Sequence, residues 1–439
     1  MANPPAEFKS NLYSVYGEDE IRLGKLKITP GIRFDVADMP NKQPLSSKTT
    51  SAPVDPNYGT TYTYTLPKNI QNKFMGQLQF SPRLGFNYDV KGNQSLVLRG
   101  GTGVFTGRIP FAWLGYAYYN NGVTYGAFDQ RNTTAYVAGT DPVKDAISSN
   151  IGEANFVKNQ GKNVNDATGA TQVDLVDNNF KMPQVWRSSV AVDYKTTNQW
   201  KFTLEGIYTK VIHDLKFQQI NYVDNPTYWV YDTKHQQPIY SGTKINSLYT
   251  NAYLLSNTSQ GYRYSITGQV SKTFPFGLNF MMAYTYGQAK DITNGIRNSM
   301  ESNWQLNQAL SPNNPGLASS NFDVRHRIVG TAAYRVDWNK QNKFISSFAF
   351  FFSAASGAPF SYGLVNTTYD GTGQSQSLVY IPTTADMPKF FADPAQIAAF
   401  NAFVDNDKYL KTRRGDFTER NGGRTPWNYH IGFQVYARL

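Results

Sequence analysis

Few side chains in this 439-residue sequence could make or break a bond. The four histidines, His213, His235, His326 and His430, are the side chains whose ordinary charge change falls near neutral pH, and they lie far apart in the chain. None stands in an HExxH pair or another metal-ligand spacing, so a zinc hydrolase has no ligand set to start from. There is no cysteine, which excludes disulfides, thiolate metal sites and cysteine nucleophiles. The run Gly100-Gly-Thr-Gly-Val-Phe-Thr-Gly107 has the glycine density of a phosphate loop. It lacks the Gly-Lys-Ser/Thr ending and leads into Arg108-Ile-Pro110, which does not open a helix. Glycine in a strand instead permits bending or close backbone approach. Arg414-Gly-Asp416 reads as a loop turn, and Asp405-Asn-Asp407 lacks the glycine and the distal Glu of an EF-hand. No Ser/His/Asp arrangement is evident. The expectation is a protein that is not an enzyme and has no catalytic residues, no cofactor and no metal.

What remains is charge. Forty-two Lys and Arg against 31 Asp and Glu give +11, yet charged residues are only 17% of the chain. Ordinary soluble domains carry about 25%. Aromatics reach 15%, with 30 Tyr, 28 Phe and 7 Trp, beside 35 Gly. A mean hydropathy of −0.49 looks soluble, but this mixture is unlike a cytosolic enzyme. The bases are spread singly along the chain, so nucleic acid is not expected as a partner. No run of about 18 apolar residues offers a transmembrane helix. The opening Met1-Ala-Asn-Pro-Pro-Ala-Glu lacks the apolar core of a signal peptide.

The elements that must position these charges repeat with period two, the mark of strands with one apolar and one polar face. In Leu26–Val36, Leu26, Ile28, Pro30, Ile32, Phe34 and Val36 alternate with Lys27, Thr29, Gly31, Arg33 and Asp35. Leu78–Val90 and the C-terminal Trp427–Leu439 repeat the pattern. Weaker versions cover Leu12–Ile21, Leu96–Phe105, Val185–Tyr194, Trp200–Tyr208, Tyr262–Val270, Leu278–Tyr286, Arg327–Val336 and Phe344–Ser353, making eleven strands. Five connections are short and rich in turn residues. The others are long: about 37–74, 106–183, 211–260, 290–322 and 362–426. Short and long alternate throughout, as in a membrane barrel with short periplasmic turns and long extracellular loops. A strand of about 11 residues, tilted about 40°, rises roughly 28 Å, enough for the bilayer core. The fold expected is all-β, a transmembrane antiparallel β-barrel.

Facing follows from cost. A charge on the lipid face at mid-bilayer costs about 2–4 kcal/mol, so the apolar row must point outward and the polar row into the lumen. The lumenal row then holds Lys27, Arg33, Arg83, Arg99, Arg187, Lys201, Arg263, Arg335 and Arg438 against Asp35, Asp89, Asp193 and Glu205. Arg33, Arg83, Arg99, Arg187, Arg263 and Arg335 are the candidate binding residues. They either pair with carboxylates of a plug or neighbouring strands, or attract anionic solutes or peptides through a positive interior field. Tyr13, Tyr16, Trp186, Tyr194, Trp200, Tyr208, Tyr284, Tyr286 and Trp427 suit interfacial girdles. Pro394–Phe403 reads as a short amphipathic helix in the last long loop, and His326 as a strand start near the outer rim.

The blocks Gln79-Phe-Ser-Pro-Arg-Leu-Gly-Phe-Asn-Tyr-Asp-Val90 and Leu98-Arg-Gly-Gly-Thr-Gly-Val-Phe-Thr-Gly-Arg-Ile-Pro-Phe-Ala-Trp113 make the sequence recognisable. So do Phe322-Asp-Val-Arg-His-Arg327, Ser356-Gly-Ala-Pro-Phe360, Asn406-Asp-Lys-Tyr-Leu410 and Gly415-Asp-Phe-Thr-Glu-Arg-Asn-Gly-Gly-Arg424. Over nearly its whole length the chain resembles the barrel of Oar-like TonB-dependent transporters. The resemblance implies a Gram-negative outer membrane, energy-coupled uptake of an extracellular solute, and a TonB–ExbB–ExbD complex as partner. Outer-membrane lipid, a plug domain and further barrel strands are the other partners it implies. Signal peptide, TonB box, plug and terminal aromatic are not seen in residues 1–439, and transporters of this kind need about 22 strands. The expectation is therefore a single partial barrel domain over 1–439. The rival readings are a surface-binding protein or adhesin, a passive porin, and a soluble β-sandwich binding module.

Overall fold

The computed structural model describes residues 8–41, 46–71, 74–122, 171–293, 295, 297–338, 344–365 and 369–438. Much of the long stretch 106–183 thus lies outside the described residues. Eleven strands follow one another in sheet order as in sequence, each antiparallel to the next. They are β1 (Asn11–Glu18), β2 (Leu26–Asp38), β3 (Leu78–Asp89), β4 (Leu96–Thr106), β5 (Gln184–Lys195) and β6 (Lys201–Gln219). The remainder are β7 (Tyr262–Thr273), β8 (Leu278–Asp291), β9 (His326–Asp337), β10 (Ile345–Ala355) and β11 (Asn428–Arg438). Among the described residues β1 pairs only with β2, and β11 only with β10, so the barrel wall is open. No described helix is long and apolar enough to cross a membrane; the strands make the crossing.

The register explains how one face became greasy. Partners directly opposite in antiparallel strands share a face. From Val15, Phe34 and Phe80 the pairing keeps apolar residues together: Phe34 opposes Phe80, Val192 opposes Leu204, and Phe350 opposes Phe433. These side chains are not covered by a second layer. Phe80, Leu84 and Phe202 are exposed, and Leu26, Phe34 and Phe86 are only partly buried. A β-sandwich would bury that row, so the soluble alternative fails here and the face is lipid-directed.

Prolines mark where the ladder is interrupted, because they bring no N–H. Ile21–Leu23 continues the register of β1 against β2, with the gap at Asp19–Glu20 opposite Thr29–Pro30. Gly24, with φ +62°, then turns the chain back as a side chain there could not do freely. Between β3 and β4 the pairing stops at Arg83–Gly103, next to Pro82. Beyond it, side chains close the seam: Gln184 Nε2 donates to the Phe80 carbonyl at 3.0 Å, and Ser81 and Thr106 hydroxyls meet at 3.0 Å.

The long connections build a second body outside the membrane, hereafter the cap. An irregularity in the β5–β6 register falls between Val185–Val211 and Gln184–His213. Past this bulge β6 leaves the wall and runs on to Gln219, well beyond the Tyr208 end expected from sequence. There it pairs with Tyr249–Thr258, which pairs in parallel with Thr171–Val176. Helix α1 (Phe111–Tyr119) and helix α2 (Met300–Gln305) pack against this small sheet, with Trp113, Leu114, Phe217, Tyr253, Leu254 and Trp304 in its core. Helix α3 (Pro394–Asn406), capped by Asp393, belongs to the last loop and overruns the expected Pro394–Phe403 by three residues.

Aromatics ring both rims. At the outer rim Trp186 meets Tyr208, and Tyr264, Tyr286, His326, Trp427 and Tyr429 follow in a chain of contacts 5.3–6.3 Å apart. At the turn end Trp200, Phe274, Phe276 and Tyr334 do the same, with Lys272 4.9 Å above Trp200. Tyr16 is a correction. It opposes Arg33 on the polar row and donates to Glu18, because odd and even positions of β1 are fixed by pairing with β2.

Candidate functional site

The lumenal face divides the six candidate arginines by what stands opposite each. Arg33 is bound along its own strand to Asp35 at 2.8 Å and to Ser14 at 2.8 Å. Arg99 crosses to β5, where its Nε donates to Asp193 at 2.7 Å, and reaches Glu205 on β6 at 3.4 Å. Asp193 also accepts from Thr203 at 2.6 Å. These two arginines are internal structure. Glu18 and Glu20 also fall on the lumenal side, while Asp19 falls opposite.

Three others share one line across the sheet. Arg83 on β3 opposes Gly103 on β4, which opposes Arg187 on β5. Arg187 opposes Thr209 on β6, which in turn opposes Arg263 on β7. Alternate strands place the three charges about 10 Å apart. Among the described residues, none of the three has a carboxylate at ion-pair distance. What holds them is weaker: Arg83 lies 4.7 Å and Arg187 5.8 Å from the Phe105 ring, and Arg187 donates to Thr209 at 3.2 Å. The Arg83 Nε is buried without a hydrogen-bond partner. Gly103 is needed here because a Cβ would come within 3.0 Å of the Arg83 side chain and 2.9 Å of the Pro82 carbonyl. The glycine run in β4 therefore makes room for neighbours on the wall. Arg335 stands apart, near the short turn between β7 and β8, with its amide on Gly277.

At its Arg263 end the row opens into a cavity of about 380 Å³ beneath the cap, where Arg263 is joined by Arg108, Lys290, Asp214 and Asp291. Asp291 is engaged at 2.6 Å by the buried Arg420 from the last loop. Sequence reasoning found the arginines but not the division among them. The signals were present as Phe105 and Gly103, but their meaning depends on strand register.

The other sequence motifs are absorbed by structure. Arg414 pairs with Asp405 at 2.9 Å and Asp416 with Arg413 at 2.5 Å, around Gly415 with φ +75°. Asp407 accepts from the amides of Tyr409 and Leu410. No group of three or more His, Asp or Glu residues that could hold a metal exists among the described residues. His235 reaches Asp232 at 2.7 Å and Asp416 at 3.5 Å, tying two loops together. In the cap, burial pushes the Asp174 carboxyl up to about 6, against donation from Asn120 and Gln172.

The family model for an outer membrane beta barrel domain matches residues 2–435. No curated protein matches the chain. Among solved structures, the outer membrane transporter YddB from Escherichia coli aligns at 10% identity and TM-score 0.42, over 97% of this chain and 45% of that one. The siderophore receptor PirA from Acinetobacter baumannii aligns at 12% and 0.40, over 97% and 39%. The FrpB iron transporter from Neisseria meningitidis (F3-3 variant) aligns at 10% and 0.35, over 80% and 35%. The chain thus spans less than half the length of each of these.

Proposed function

The chain belongs to the outer membrane beta barrel domain family, its place is the outer membrane of a Gram-negative bacterium, and we propose that it forms wall and mouth of an Oar-like TonB-dependent transporter. In this reading it moves a solute inward by energy-coupled gating, without bond chemistry. A plug within the lumen couples it to TonB–ExbB–ExbD. Further strands cover the free edges of β1 and β11, since unpaired backbone groups in lipid are costly. The observation that carries the reading is the Arg83–Arg187–Arg263 row, three cations with no carboxylate at ion-pair distance among the described residues, running across the sheet to the cavity under the cap. Such a row favours anionic groups, whether on a passing solute or on the plug.

The test compares host cells lacking the gene, cells lacking TonB, and cells carrying Arg83→Gln, Arg187→Gln and Arg263→Gln together. Depletion of solutes from the medium is profiled by mass spectrometry. Energy-coupled uptake requires that solutes left behind by the gene deletion are also left behind without TonB, and consumed more slowly by the triple variant. Consumption at the normal rate without TonB would remove the energy coupling and leave a passive porin.

A further inference from the structure

Next to the cavity of the arginine row, and sharing Thr293 and Gly295 with it, lies a second cavity of about 330 Å³. It sits where the loop after β8 meets the loop after β10. This volume is at the lower end of the roughly 300–1,000 Å³ range of small-molecule sites. Its wall has an unusual chemistry. Asn303, Asn307, Gln308, Asn321, Gln376 and Asn421 supply six carboxamides, and Arg297 is the one charged group among the described lining residues.

Two of the amides are consumed as framework. Asn303 donates to the carbonyls of Arg297 and Ser299 and accepts from the Arg297 amide, fixing the entry to helix α2. Asn421 donates to the Ser319 carbonyl and to Asn321 Oδ1. The others are half used. Gln308 Nε2 donates to Gln376 Oε1, which leaves an acceptor on Gln308 and a donor on Gln376. Asn307 donates to the Ile292 carbonyl at 3.0 Å, while its Oδ1 is buried without a partner, on a residue only 6% exposed. A buried acceptor in that state is penalised until a donor reaches it. Phe360 adds an aromatic surface to the same wall, its ring seated over Gly423.

We propose that this cavity binds a neutral saccharide of one or two rings. Hydroxyl groups both donate and accept, and so satisfy a mixture of free amide oxygens and N–H groups that a ligand of one polarity would leave half unmet. The aromatic wall suits the apolar face of a pyranose ring. A short peptide fits less well, because its ammonium group would find no carboxylate among the described lining residues. An anion would meet one guanidinium but also the unpaired carboxamide oxygen of Asn307. The inference concerns capture at the cell surface and stands or falls independently of how the solute is then moved.

The experiment is calorimetric titration of the purified full chain in detergent with maltose, cellobiose and N,N′-diacetylchitobiose, and with tri-alanine and citrate as contrasts. Saturable binding of at least one disaccharide is expected, weakened about three- to tenfold by Asn307→Leu and by Gln376→Ala. The half-buried Gln376 serves as the second variant in case Asn307→Leu disturbs folding. Glu20→Gln, an exposed position on the wall away from the cavity, should bind the sugar as the parent does. The proposal is overturned if no disaccharide binds, if tri-alanine or citrate binds in preference, or if both amide variants bind sugar unchanged.

Discussion

The wall and the cap are made of the same kinds of residue in opposite surroundings. On the wall Val190, Leu204 and Ile266 are 52%, 59% and 52% exposed; in the cap Trp113, Trp304 and Tyr222 are each 1% exposed. The wall gains its apolar environment from acyl chains and spends its backbone polarity in the strand ladder. The cap has to supply both for itself. It packs aromatics against one another and satisfies loop backbone with carboxamides, as Asn313 does with Gln219 and Asn221 with Asn246. A barrel residue is thus placed by a two-residue period and a membrane, whereas a cap residue is placed by partners two hundred or more positions away, as Thr49 is by Tyr249 and Thr61 by Asn314.

That contrast can be broken. The largest effect expected is from Trp304→Ala, which empties the cap core and removes a 2.8 Å bond to Asn313. Loss of a buried Trp costs about 3–5 kcal/mol. Limited proteolysis should open the cap while the wall keeps its β circular-dichroism signal in detergent; simultaneous loss of both would make them one cooperative unit. Next is Val190→Arg on the lipid row, costing about 2–4 kcal/mol. The neighbouring Ser189→Arg points to the lumen and should cost far less, in denaturant titrations of folding into lipid vesicles. Equal costs would refute the facing.

The contrast is sharpened by pH. Asp174, in the cap, has a folded-state pKa of about 6, above the roughly 3.9 of an unfolded aspartate. The proton is therefore held more tightly in the folded form. Its contribution is complete below about pH 4 and is lost as pH rises through about 6, a change of roughly 3 kcal/mol. Cap opening measured by hydrogen exchange should follow that profile, and Asp174→Asn should flatten it. The smallest effect is at the exposed Glu20, which touches Arg22 and Lys27. Glu20→Gln should leave both bodies within error of the parent, as solvated ion pairs contribute little.

Legibility differed between the two bodies for the same reason. Each of the eleven strands could be read from alternation, and the apolar row from Leu26 to Val36 faces lipid as its spacing requires. Tyr16 was misplaced because β1 carries aromatics on both faces, and only pairing with Arg33 decides between them. The extension of β6 through Gln219 was missed because a bulge ends the simple period. Asn303, Asn307 and Gln308 lie in the long connection 290–322, where no strand period runs. Their meeting with Gln376 and Asn421 could not be inferred, since three separate chain segments converge there.

By itself, then, the sequence determined a wall: how many strands, which face meets lipid, which end carries the long loops. It could do so because a bilayer imposes one thickness and one polarity on every crossing, and side chains must repeat accordingly. Tertiary structure alone decided which arginines meet carboxylates among the described residues, as Arg33 and Arg99 do, and how the loops fold into a cap with an amide-lined cavity. Those outcomes depend on which strand positions stand opposite one another and on contacts between distant segments, and no local period encodes either.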